Sequence, residues 1–346
     1  MEKTIRILAV VLAVQVVLAV GLQFRGPGLS PAAEAGPLLT LSPDQVKTIT
    51  VADSGDKRVK LRRTNDGWML ADGGFPADPD KVGQLLNQLT GLTSGDVVAR
   101  TEGARERFKV ASENFERRIT LHREGQDPVR LYFGTSPGKD RIHARVEGED
   151  AIQVVRFGTY DAPVQVADWQ DQGVLQVPGN QIAGIEIDGL KLQRKESVEE
   201  AAKDRPSARW QAAQTPEGKI LQQTAVQQLT QQLATLRFDE VLGEQKPTGY
   251  SWDQPLLQLS VQRKEADPVT FRLAKKTTNA DKDESKTEYA LKASSRKEYF
   301  SLATPTATQL LNAASREALL GAESGETSPD PSNGKTNEAN ASSSDS

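Results

Sequence analysis

"REGQDPVRLYFG", residues 123–134, returns 140 positions later as "RKEADPVTFRLA", residues 263–274. In both places a charged segment runs into Asp-Pro-Val and then into an alternating apolar stretch. Proline fixes its own φ and biases the preceding residue toward extended backbone, so Asp-Pro suits a tight turn between two strands. One phrase written twice therefore implies one hairpin built twice. The flanks match as well. "VKTITVADSGDKRVKLRRTNDGWML" opens the first copy, and "IAGIEIDGLKLQRKE", a charged insert and "ARWQAA" open the second. Each gives two alternating runs and then a strand carrying a tryptophan, Trp68 or Trp210. Alternation of period two turns one face of each strand toward a core. Asp53-Ser54-Gly55 and Asn65-Asp66-Gly67 supply turn chemistry between the runs of the first copy.

A helix is expected next in each copy. Apolar residues fall at Val82, Leu85, Leu89 and Leu92, and again at Val226, Leu229, Leu233 and Leu236, with the same offsets. That spacing makes one apolar stripe, whose simplest use is packing on its own sheet. Asp78 before Pro79 reads as an N-cap with proline in the first helical position, and Thr224 with Gln227 reads as a capping box. Further strands follow: "RRITLHRE", "VRLYFG", "RIHARVE" and "AIQVVRF" in copy one, and "LLQLSVQRK", "VTFRLAKK", "TEYALKA" and "EYFSLA" in copy two. "KKTTNADKDESKT" is a longer polar hairpin loop. "DAPVQVADWQDQGVL" and "TPTATQLLNAASREALLG" read as closing helical stretches, the second opened by Thr304-Pro305 and stopped by Gly321.

The expected fold class is α+β: an N-terminal transmembrane helix followed by two tandem repeated units, each a mainly antiparallel sheet with a packed amphipathic helix. The expected boundaries are a cytoplasmic tail at 1–6, the transmembrane helix at 7–24 and a linker at 25–37. The first repeat occupies 38–172, the second 173–320, and a disordered polar tail 321–346. The span rests on Ile7 to Phe24, 18 residues without a charge, roughly 27 Å of helix at about 1.5 Å per residue. Lys3 and Arg6 precede it and keep the N-terminus in the cytoplasm, which exports the body. A cleaved signal peptide is the competing reading, with Ala33-Glu34-Ala35 as an A-x-A-like site. The expected location is the cytoplasmic (inner) membrane, single-pass, with the body extracytoplasmic.

Composition removes whole classes of chemistry. The 346 residues contain no cysteine, which excludes disulfides, thiolate catalysis, cysteine-ligated zinc and iron–sulfur clusters. Net charge is −4, an acidic balance unsuited to nucleic acid. The two histidines, His122 and His143, lie in separate strands of the first copy, with Val261 placed opposite His122 in the second. A histidine triad or histidine-rich metal site is hard to build from them, and both read as strand residues. "GTSPGKD", residues 134–140, lacks the spacing of a phosphate-binding loop and joins two strands, so it reads as a hairpin turn and no nucleotide is expected. "ARERFKVASENFERR" is locally basic with Phe108 and Phe115 interleaved. Its two readings are a solvated segment anchored by two core phenylalanines and a patch for an anionic partner. No catalytic, cofactor-binding or metal-ligating residue is expected.

"GWMLADGGFPADPDKVGQLLNQLTGL", "VRLYFG" and "ARWQAA" together resemble the bacterial domain-of-unknown-function 4340 family. The resemblance covers about Leu38 to Leu320. It implies an envelope protein, sometimes linked with ABC-type export systems of the gliding-motility auxiliary kind, and it supplies no catalytic residue. The expected function is a membrane-anchored, non-catalytic extracytoplasmic binding or scaffold protein with an envelope protein partner. The alternatives are an accessory subunit of an ABC-type transporter and a hydrolase of envelope polymer.

Overall fold

The computed structural model describes residues 36–195, 209–278 and 286–322, together with Gln15. The fold is α+β, with two antiparallel eight-stranded sheets and few helices. The chain divides into two compact units between Asp171 and Gln172.

The first unit runs β1 (Val46–Ala52), β2 (Arg58–Thr64), β3 (Gly67–Leu70), α1 (Pro79–Thr90), β4 (Val97–Ala99), α2 (Glu102–Arg107), β5 (Arg117–Arg123), β6 (Val129–Phe133), β7 (Arg141–Val146) and β8 (Ile152–Arg156). The second runs β9 (Ile182–Ile187), β10 (Leu190–Lys195), β11 (Arg209–Ala212), β12 (Lys219–Leu221), α3 (Gln223–Ala234), β13 (Val241–Gly243), β14 (Leu257–Arg263), β15 (Val269–Thr278), β16 (Lys286–Ala293), β17 (Tyr299–Leu302), α4 (Thr304–Ala313), α5 (Arg316–Leu319) and β18 (Leu320–Ala322). The sheet orders are β3-β2-β1-β5-β6-β7-β8-β4 and β11-β10-β9-β14-β15-β16-β17-β13. They are the same order, strand for strand. The repeated Asp-Pro-Val phrases form the hairpins β5–β6 and β14–β15, where Leu121 pairs with Val129 and Val261 with Val269.

Alternation builds each core. Ile49, Val51, Val59, Leu61, Ile119, Leu121, Leu131 and Phe133 are fully buried on one face of the first sheet, and Ile185, Ile187, Leu192, Leu259, Val261 and Phe271 are buried in the second. Helix α1 buries Val82, Leu85, Leu86 and Leu89. Its start follows from Asp78, whose carboxylate accepts from the amides of Asp80 at 3.0 Å and Lys81 at 3.2 Å, with Pro79 needing no partner. Leu92, the last residue of the expected stripe, lies beyond the helix end at Thr90 but is still buried.

Several expectations need correction. Helix α3 is capped at Gln222 without a side-chain bond, and Thr224 sits inside the first turn rather than at the cap. The neighbouring Gln223 serves the edge strand β11 instead: its amide accepts from the Trp210 N–H at 2.9 Å and donates to the Trp210 carbonyl at 2.8 Å. Both main-chain groups of an edge residue are thereby satisfied. Residues 161–175 form no α-helix, but only short 3₁₀ turns at Thr159–Asp161 and Val166–Trp169. The last helical stretch breaks in two, with Ser315 capping the second piece by accepting from Ala318 N–H at 3.2 Å. Gly321 is no helix stop. It lies in β18 and pairs with Ile220 of β12, so the described fold extends to Ala322. At the other end Pro37, expected in the linker, bridges to Thr93.

The proposed span Ile7–Phe24, apart from Gln15, lies outside the described residues, as do 279–285 of the polar hairpin loop and 323–346 of the tail. Among the described residues no helix is long and apolar enough to cross a membrane.

Candidate functional site

The face of the first sheet opposite its α1-side core collects cations through register. Thr50 lies between Lys60 and Thr120, and Thr120 pairs onward with Arg130. One row along, Arg118 lies between Ala52 and Tyr132, and Tyr132 pairs with Arg145. A third row places Thr48 between Arg62 and His122. No carboxylate occupies any of these positions.

Part of this face is roofed by α2 and the segment 108–116. Ala104, Val110, Phe115, Tyr132 and Ile152 form a small second core there, joined by Phe108. Arg145 lies over the Tyr132 ring, 4.7 Å from its centroid, and its Nε donates to the Val110 carbonyl at 2.8 Å. The roof is stitched to the end of β6, where Glu116 N–H donates to Phe133 O at 3.0 Å and Thr135 N–H to Phe108 O at 2.9 Å. Of the two readings of the "ARERF" segment, the phenylalanine anchor describes its underside. Its edge, however, borders the cationic face.

Between that edge and the open strands lies a groove of about 400 Å³, lined by Thr50, Ser112, Glu113, Arg118, Thr120, His122, Arg130, Tyr132 and Glu147. Arg130 pairs with Glu147, and the Tyr132 hydroxyl donates to the same carboxylate at 2.9 Å. Partial burial pushes the Glu147 carboxyl up, but the bonds from Arg130 and Tyr132 outweigh it and hold Glu147 below the usual carboxylate range. Burial and the bond to Glu147 push the Tyr132 phenol up. Glu147 therefore carries no proton to donate near neutral pH. Arg118 rests over the Phe115 ring, 4.8 Å from its centroid. Its side chain makes no hydrogen bond or ion pair among the described residues, and neither do those of Lys60 and His122.

Partial desolvation at the groove surface holds the His122 imidazole below its ordinary value, and the charges of Lys60 and Arg130 depress it further. An NMR titration of this ring, assigned by its loss in His122→Gln, is expected to give a pKa below 6.5. A value at or above that would show that the cations leave no positive field there.

The second sheet carries a different pattern on the corresponding face, with Arg272 and Lys292 in the places of Tyr132 and Arg145. Lys191 is the counterpart of Lys60, and it pairs at 3.5 Å with Glu186, which stands where the first unit has Thr50. Gln258, Ser260 and Gln262 replace Arg118, Thr120 and His122. The counterpart of His122 is thus Gln262, not Val261, because Val261 shares the register of Leu121.

The two histidines differ. His143 is buried, stacks on Phe108 with ring centroids 4.2 Å apart, and donates from Nδ1 to the Thr135 carbonyl at 2.6 Å. His122 is exposed in the groove. "GTSPGKD" joins β6 to β7 and turns through positive φ at Gly138, Lys139 and Asp140. A second cleft of about 470 Å³ lies beside α1, against Leu85, Pro163 and Trp169. Its lysine, Lys81, already donates to the Asp168 carbonyl at 2.7 Å. Among the described residues no group of three or more histidine or acidic side chains is placed to hold a metal ion.

The family model described as "Domain of unknown function (DUF4340)" matches residues 68–255, more than half of the chain. No curated protein and no solved structure matches.

Proposed function

The chain belongs to the DUF4340 family, and from that premise we propose that it is a membrane-tethered recognition protein of the bacterial envelope. In this reading Ile7–Phe24 spans the cytoplasmic membrane, the N-terminus stays in the cytoplasm and both units lie outside it. The body binds and does not catalyse. A tether of this kind raises the effective concentration of a binding surface near a membrane partner. The partner is an envelope protein, and the family resemblance favours an ABC-type transporter. The observation that carries the reading is the open groove of the first unit. It offers cations and hydroxyls on a rigid sheet, while its Glu147 is already engaged by Arg130 and Tyr132.

The absence of native cysteine permits a direct test. Tyr160 is 73% exposed. In Tyr160→Cys cells, a charged maleimide that does not cross the cytoplasmic membrane is expected to label the protein without lysis, and carbonate-washed membranes are expected to retain it. Labelling only after lysis would place the body in the cytosol and end this reading. In-cell cross-linking is expected to recover a defined envelope protein.

A further inference from the structure

We propose that the groove of the first unit binds a small soluble ligand through a phosphate group, an inference that rests on the recognition role and names the class of ligand. Clustering like charges on adjacent strands costs stability, and opposite charges across strands recover it. The second unit follows that rule by pairing Lys191 with Glu186. The first unit breaks it at the same place, setting Thr50 beside Lys60 and adding Arg118 and His122 where its counterpart has glutamines. Arg118 stacks on Phe115 with no hydrogen bond or ion pair from its guanidinium among the described residues, and the Lys60 and His122 side chains have none either, so a ligand is a use open to all three. Thr50 and Thr120 lie directly opposite one another between the charged rows, and their hydroxyls add neutral donors. Guanidinium and hydroxyl donors lining one groove match the oxygens of a phosphate.

The lining favours a discrete molecule over a membrane surface. Glu113 and Glu147 line the groove together with the cations. A bilayer would set many phosphates against a face that includes those carboxylates. A small ligand needs only part of the groove, and the Glu113 carboxylate, which makes no hydrogen bond or ion pair among the described residues, can accept from a hydroxyl of its body. A volume of about 400 Å³ suits such a ligand.

The test is calorimetric titration of the purified full chain in non-ionic detergent with inorganic phosphate and with glucose 6-phosphate. Glucose and phosphatidylglycerol vesicles serve as comparisons. Saturable binding of both phosphorylated probes, weakening as salt rises, is expected, with none of glucose. Arg118→Gln and His122→Gln install the residues that the second sheet carries at those positions, so the fold tolerates them. Arg118→Gln is expected to lower affinity about tenfold or more, while Arg272→Gln in the second sheet leaves it unchanged. Failure of both phosphorylated probes to bind, or binding indifferent to Arg118→Gln and His122→Gln, would overturn the proposal. Binding of vesicles alone would assign the face to lipid and overturn it too. A negative titration leaves the maleimide result standing, and a cytosolic body would leave the titration standing, so the two failures are separable.

Discussion

Trp169→Ala is expected to destabilise the first unit by about 3–5 kcal/mol, the range for emptying a fully buried large aromatic site. Trp169 is 1% exposed and among the largest of the fully buried side chains. It also ties two distant pieces of chain together. Its indole N–H donates to Pro163 O at 2.9 Å, and its own carbonyl accepts from Asp78 N–H at 2.8 Å. Asp78 is the residue that caps α1. Asp171 N–H donates to Pro76 O at 3.0 Å, which continues the same seam. Removing the ring opens a cavity and loosens the helix start together. The expected reading is a fall in the denaturant midpoint and a loss of amide-exchange protection across 76–90 and 159–171, with the second unit unchanged. A loss of under about 1 kcal/mol would mean the seam holds without the ring.

Gly134→Ala is expected to cost about 1–3 kcal/mol or more and to weaken phosphate binding without altering any residue that lines the groove. A Cβ on Gly134 would lie 1.9 Å from the Phe108 carbonyl oxygen and 2.3 Å from that of Lys109. Both are backbone atoms, so no side-chain rotation relieves the clash. The segment 108–116 must lift from the end of β6, carrying Phe108 off His143 and Ser112 away from the groove. Thermal unfolding and the phosphate titration check this together. An unchanged melting temperature would show that the roof is not seated as described. The corresponding place in the repeated phrase is Ala274, which is fully buried and accepted. At this place the two phrases carry Gly and Ala, and the glycine is the one whose Cβ would meet backbone carbonyls.

Much of the sheet architecture could be read from local pattern. Alternation in "RVKLRRT" and "RRITLHR" separates Val59, Leu61, Ile119 and Leu121 from their polar neighbours, and burial follows that separation. Asp-Pro-Val marked both hairpins, and Asp78-Pro79 marked the start of α1. The weak points were also physical. Strands β4 and β13 have three residues each, too few for a period to register, and both exist by pairing with an edge far along the chain. The β12–β18 pair joins Leu221 to Leu320. The Thr224 cap failed because the helix already starts at Gln223, with Gln222 in the cap position and the Gln223 side chain bonded to the edge strand.

The family resemblance and the repeated hairpin were determined by the sequence alone, because turn chemistry and two-residue alternation are written in neighbouring positions. Which cations meet was decided only in the tertiary structure. Lys60 comes from β2, Arg118 and His122 from β5 and Arg130 from β6, and a shift of one residue in any pairing would send that strand's charges to the other face. Register, set by the whole sheet, turns scattered basic residues into one positively charged groove.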